Sequence, residues 1–183
     1  MSEAARLASH RAYSGRLINV DVDTVRLPTG VVTELEMVRH PGAAAVVPFL
    51  SDPSGPDPQV LLIRQYRYAA GGALYEIPAG TLRSGETPEE CARRELLEET
   101  GCRAGILDAL TGIYTTPGFT DEYIHLFMAA ELSRGDSSHD RDEVIETEAR
   151  TISQALEMIR DGRIVDAKTI VALLFAAGFK LGW

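Results

Sequence analysis

Residues 80–102 read GTLRSGETPEECARRELLEETGC, and they constrain this chain more than any other stretch because both ends of one helix are written into them. Thr87-Pro88-Glu89-Glu90 forms a capping box with proline at the first helical position. The Thr87 hydroxyl can accept from the backbone of Glu90, and the Glu90 carboxylate can reach back. Gly101 supplies a left-handed stop, so the helix runs from Pro88 to about Thr100. At 3.6 residues per turn, Glu95, Glu98 and Glu99 fall within about a third of the circumference. Like charges about 6 Å apart repel by about 0.7 kcal/mol in water and by about 3 kcal/mol at an effective dielectric near 20. On a solvated face such a cluster costs little. In a cleft it needs a counter-charge, and hard oxygen donors suit Mg2+ or Mn2+. Arg94, beside Glu95 and one turn before Glu98, offers part of it.

The rest of the chain alternates strands with a few helices. After about fifteen polar or small residues, LINVDVDTVRL has the β-branched alternation of a strand, PTG turns, and VVTELEMV returns, which predicts an opening hairpin. AAAVVPFL (43–50), VLLIRQYRY (60–68) and LYEIPAG (74–80) read as further strands, as do residues 107–114, 123–130 and the short VIET. SRGDSSHDRDE (133–143) is a polar loop. Two helices close the chain, SQALEMIRDG capped by Ser153 and stopped at Gly162, and DAKTIVALLFAAG capped by Asp166 and stopped at Gly178. This pattern predicts α/β layers around a mixed sheet.

Charge and cysteine content narrow the partners. A net charge of -9 and a pI near 4.9 argue against a nucleic-acid backbone as partner, while a small phosphorylated ligand held through a divalent cation is compatible with both. Cys91 and Cys102 lie in the same expected helical region, too far apart along it to pair, so free thiols in a reducing cytoplasm are expected. No apolar run reaches the length of a membrane span, and the first residues lack a signal-peptide core.

Gly80, five residues, Glu86, seven residues, then Arg94-Glu95-Leu96-x-Glu98-Glu99-x-Gly101-Cys102 resembles the Nudix box, the loop-helix-loop of hydrolases acting on nucleoside diphosphates linked to another moiety. Cys102 is the one departure, standing where that family has an aliphatic residue; a buried cysteine is a small hydrophobe. YEIPAG before the box, and YTTPGFTDE after it with Pro117 fifteen residues past Cys102, look like the ADP-ribose pyrophosphatase branch. The resemblance implies an α/β Nudix fold, an α/β/α sandwich around a mixed sheet, with an N-terminal antiparallel hairpin or sheet extension. Residues 1–42 would form that extension, through which the branch dimerises, and residues 43–183 the hydrolase domain. The implied reaction is Mg2+-dependent hydrolysis of ADP-ribose to AMP and ribose 5-phosphate, with Mn2+ as a possible substitute. GDP-mannose or another nucleotide sugar is the alternative substrate, and a non-catalytic nucleotide-sugar sensor is the alternative of another class.

Residue roles follow from the same resemblance. The carbonyl of Ala79 and the carboxylates of Glu95 and Glu99 are implied metal ligands, with Glu98 a ligand or a water orienter. Glu86 and Arg94 brace loop and helix, or form an ordinary surface ion pair, and Gly80 and Gly101 serve backbone geometry. A glutamate in a loop near the C-terminal end completes the site as base or further ligand. Glu143 is the expected one, with Asp142, Asp140 and Glu146 as rivals. Arg67 matches a substrate-contacting arginine that could fork onto a phosphate, Pro117 marks the substrate loop, and Leu35 and Glu36 on the second hairpin strand would reach a partner's pocket.

Overall fold

The computed structural model describes residues 4–135 and 145–182. The chain divides into two compact units: one holds the chain up to Gly42 together with Tyr114–Tyr123, the other holds Ala43–Ile113 and the chain from Ile124 on. In the first unit, β1 (Ala5–Ser14), β2 (Asn19–Arg26) and β3 (Val32–Arg39) form an antiparallel sheet in the order β1-β2-β3. Its inward positions on β2 are charged. Asp21 and Asp23 are buried, and Arg39 donates to Asp21 at 3.1 Å, to Asp23, and to Asp121 at 3.2 Å; Arg11 donates to Asp21 as well. Both carboxyls sit below their ordinary range, Asp21 chiefly through Arg11 and Asp23 chiefly through a hydrogen bond from Ser9, with Arg39 acting on both.

The second unit is a layered α/β body. β4 (Ala43–Pro48) is buried along its whole length, as a strand covered on both faces must be. β5 (Gln59–Arg67) and β6 (Gly72–Glu76) pair antiparallel, while β7 (Ala79–Thr81) pairs with β4. α1 (Pro88–Thr100) follows, then β8 (Cys102–Tyr114), β9 (Tyr123–Arg134), β10 (Ile145–Thr151), α2 (Ile152–Arg160) and α3 (Ala167–Phe175). β9 lies parallel to β4, giving a mixed sheet β7-β4-β9-β8, and β10-β5-β6 makes a second, antiparallel sheet. Alternation along β4 and β9 separates two cores. Ala44, Val46, Phe127 and Ala129 pack with Cys91, Ala92 and Leu96 of α1. Ala45, Val47, Leu126 and Met128 pack with Ile152, Ala155 and Met158 of α2 and with Ala172 and Leu173 of α3. The result is the α/β/α sandwich, with α1 on one face and α2 and α3 on the other.

Several local expectations are corrected. The first fifteen residues are not an unstructured lead: β1 occupies ten of them, exposed throughout and held by its ladder to β2, so the hairpin is a three-stranded sheet. LYEIPAG splits at Ile77-Pro78 into β6 and β7, which join different sheets because proline cannot continue the ladder. α2 is capped by Thr151 in a capping box with Gln154, whereas Ser153 spends its backbone N–H and hydroxyl on Asp57. Asp166 does cap α3, but Gly178 does not stop it; a π-helical turn, Ala176–Leu181, carries on to a left-handed Gly182. Cys102 opens β8 and is not part of the helix, and both cysteines are free thiols.

Candidate active site

The box helix is built as its local chemistry dictates. Thr87 accepts from the Glu90 N–H, the Glu90 carboxylate accepts from the Thr87 N–H at 2.8 Å, and Gly101 stops the helix at φ 69° while donating to the Leu97 carbonyl. These two ends fix the rotation of α1 and therefore which carboxylates face the loop before it. Glu99 is only 2% exposed and accepts the Ala79 N–H at 3.0 Å. Glu95 lies against the bare Cα of Gly80: a Cβ there would stand 1.8 Å from Glu95 Oε1 and 2.1 Å from its Cδ. Any side chain at Gly80 would displace the Glu95 carboxylate from this position against the β7 backbone.

Arg94 is the hub of this face. Its Nε and Nη2 fork onto Glu86 at 2.6 and 2.9 Å, Nη1 donates to Glu95 and, at 3.0 Å, to Glu98, and Nη2 also reaches the Thr81 carbonyl. The fork onto Glu86 joins the loop to the helix, and a backbone bond from Arg83 at 2.9 Å reinforces it. Hydrogen bonding from Arg94 is the main cause that holds the Glu86 carboxyl down at about 2, and the same carboxylates push the Arg94 guanidinium up. Arg83 meets Glu98 at 3.4 Å. Cys91 packs behind them against the Gly80 carbonyl, and burial pushes its thiol up to about 12, so it is inert packing.

Ala79, Gly80, Glu86, Arg94, Glu95, Glu98, Glu99 and Gly101 are thus gathered on α1 and the strand and loop before it. The set tests well for a hard divalent cation by its donors: three carboxylates within one and a third turns, and a main-chain segment pressed against two of them. Among the described residues no three His, Cys, Asp or Glu side chains already converge at metal-holding distances, and Arg94 pairs with Glu86, Glu95 and Glu98.

Arg67 stands differently from the expectation of a fork onto phosphate. Its Nε and Nη2 fork onto Glu76 at 2.7 and 2.8 Å, and Lys168 donates to the same carboxylate. Burial, with Glu76 only 1% exposed, pushes that carboxyl up, but the two cations more than offset it and the net direction is down. Arg67 is raised chiefly by Glu76, with Glu99 and Asp166 adding to the effect. Leu35 and Glu36 are exposed on β3, and Pro117 is exposed in the loop between β8 and β9; all three belong to the other unit. Glu143, Asp142 and Asp140 lie outside the described residues. Their rival Glu146 sits exposed on β10, 3.5 Å from Arg64. The sequence reading missed Arg83, Glu76 and Lys168; only Arg83 carried a signal, as the one cation inside the loop of the box.

The family model described as NUDIX domain matches residues 40–173. The chain is 38% identical over 175 residues to the ADP-ribose pyrophosphatase of Bacillus subtilis (strain 168), covering 94% of this chain and 92% of that protein. It is 37% identical over 175 residues to the methanol dehydrogenase activator of Bacillus methanolicus, with 94% and 92% covered. A crystal structure of an ADP compounds hydrolase superimposes with a TM-score of 0.84 at 21% identity, covering 100% of this chain and 96% of that one, a likeness of fold.

Proposed function

The chain belongs to the NUDIX domain family, and from that premise we propose that it hydrolyses the diphosphate bond of ADP-ribose, giving AMP and ribose 5-phosphate, with Mg2+ as its cofactor and Mn2+ as a substitute. One observation carries the reading: Glu95, Glu98 and Glu99 of α1 gather with Glu86 of the loop before it around Arg94, and a glycine stands where a side chain would meet Glu95. That gathering of carboxylates suits a divalent cation bridging to an anionic diphosphate.

In this reading the Ala79 carbonyl, Glu95, Glu98 and Glu99 hold the cation, with Glu143 completing the set. Bound there, a divalent cation neutralises the diphosphate and lowers the pKa of a water. The protein residues do the rest. Glu98 or Glu143 accepts the proton of the attacking water, Arg94 and Glu86 keep the helix and its loop in register, and Arg67, anchored on Glu76, meets the substrate. Leu35, Glu36 and Pro117 contribute substrate contacts, the first two from the partner of a homodimer formed through the N-terminal sheet. That sheet exposes Leu7, Tyr13, Leu17, Val31, Val32 and Leu35, an apolar set that pairing would cover. No helix among the described residues is long and apolar enough to cross a membrane. The free thiols Cys91 and Cys102 support a cytoplasmic protein.

A panel of ADP-ribose, GDP-mannose and other nucleotide sugars with Mg2+, read by phosphate release with coupled phosphatase, tests the reading. ADP-ribose should turn over fastest. Faster release from GDP-mannose would move the substrate assignment, and binding without turnover of any member would leave a sensor. Sedimentation of the full chain as a monomer at working concentration would remove the homodimer.

A further inference from the structure

The loop that carries Pro117 is fastened to strand β3. Val38 gives it both of its backbone groups, donating its N–H to the Phe119 carbonyl at 2.7 Å and accepting the Asp121 N–H at 3.2 Å, which makes a parallel bridge at Thr120. The Asp121 carboxylate adds two bonds to the next residues of the same strand end. Oδ1 accepts the His40 N–H at 2.8 Å, and Oδ2 accepts from Arg39 Nη1 at 3.2 Å. At its base the loop is closed on itself, with Thr115 donating its N–H to the Glu122 carbonyl at 3.3 Å and its hydroxyl to Glu122 Oε2 at 2.8 Å. Thr120 is buried and takes the Glu122 N–H at 3.1 Å. Pro117 and Gly118 form the exposed tip between these fastenings.

A short tip between two fixed points has little freedom of its own, so its position is set by where the fixed points stand. One of them is Asp121. We propose that Asp121 is a positioning residue for substrate choice: held by Arg39 and the His40 N–H, it makes the Pro117 loop a part of the N-terminal sheet, so that the sheet sets how the loop meets the nucleotide sugar. The inference rests on the reading above that Pro117 contacts substrate. The geometry of the fastening stands apart from it.

The test is D121A in the full chain, with D121N beside it. Asp121 is preferred to Arg39 because Arg39 also neutralises the buried Asp21 and Asp23, whereas the Asp121 side chain is 40% exposed and its loss spares them. D121A should raise KM for ADP-ribose about tenfold with kcat within about threefold, while KM for GDP-mannose moves by less than about threefold. D121N, which keeps an acceptor for the His40 N–H but loses the charge facing Arg39, should raise KM for ADP-ribose by about two- to threefold. Hydrogen exchange at the His40 amide should quicken in D121A at unchanged Tm. An unchanged KM for ADP-ribose, or equal losses for both sugars, overturns the proposal. Should D121A fail to fold, D121N decides alone: a KM shift for ADP-ribose only, at wild-type Tm, supports it, and none refutes it. A wild-type chain that does not cleave ADP-ribose refutes the functional reading instead, and the His40 exchange still reports on the clamp.

Discussion

Two arginines in this chain each face three carboxylates, and they do so to different ends. Arg39 draws Asp21, Asp23 and Asp121 around one guanidinium in the N-terminal sheet, and Arg11 joins it on Asp21. Arg94 draws Glu86, Glu95 and Glu98 together on the box helix, and Arg83 joins it on Glu98. The difference is Glu99, a fourth carboxylate buried on the same helix and fastened to the β7 backbone. In the sheet the two buried acids are held by arginines, Asp21 by Arg11 and Arg39, and Asp23 by Arg39 with Arg6 adding to the effect. On the helix the fourth acid is fastened to a backbone N–H and shares an attraction with Arg67, beside a face whose backbone has been cleared by Gly80. One cluster ties side chains to side chains; the other ties a helix to the backbone of the strand before it.

The strongest way to break this contrast is at Glu99. E99Q keeps the shape of the side chain and removes one charge, so turnover of ADP-ribose should fall at least about 100-fold with circular dichroism unchanged. Activity within a fewfold of wild type would remove Glu99 from the site. Next come the hubs. R94M leaves partly buried carboxylates without their main counter-charge, so Tm should fall by about 5–10 °C, and millimolar Mg2+ should restore much of it by binding only the folded state. R39M should lower Tm by about 3–6 °C with no recovery from Mg2+. Equal recovery of both variants, or of neither, would erase the distinction between the clusters.

The smallest effect is in acid. The Glu86 carboxyl is depressed in the folded state, from 4.5 to about 2, so its stabilisation is complete above about 4.5 and is lost as pH falls toward 2. Asp21 and Asp23 are depressed from 3.8, so the sheet cluster begins to lose its share only below that value. In urea melts across this range, E86Q should flatten the upper part of the acid slope and leave the lower part in place. A wild-type slope in E86Q would mean that Arg94 does not hold Glu86 in solution as it does in the structure.

The parts of the molecule that were legible beforehand are those written in neighbouring residues. Thr87, Pro88, Glu90 and Gly101 settle α1 within itself, and the helix runs from Pro88 to Thr100 as they dictate. β1 was invisible because ARLASHRAYS has no apolar face; it is a strand only because β2 pairs with it. The cap of α2 was misplaced by two residues because Ser153 is drawn to Asp57, 96 positions away, which leaves Thr151 to do the capping. The pairing of Arg67 with Glu76, shared with Lys168, was hidden for the same kind of reason, since those partners come from a different strand and a distant helix. Gly80 is the opposite case: its place in the spacing was plain, and the structure supplies the reason, a carboxylate where a Cβ would be.

The bond between Arg39 and Asp121 spans 82 positions, and that separation has a consequence for synthesis. At about 5–20 residues per second, the ribosome delivers Asp121 roughly 4–16 s after Arg39. Through that interval the nascent sheet can form its two hairpin ladders but not its last ion pair, nor the bridge from Val38 to Thr120. Its apolar side chains, Leu7, Tyr13 and Leu35 among them, stand open then as they do in the complete fold. A sheet formed on the nascent chain before Asp121 is made would thus be an unfinished one, and slow codons between the two positions would lengthen that state.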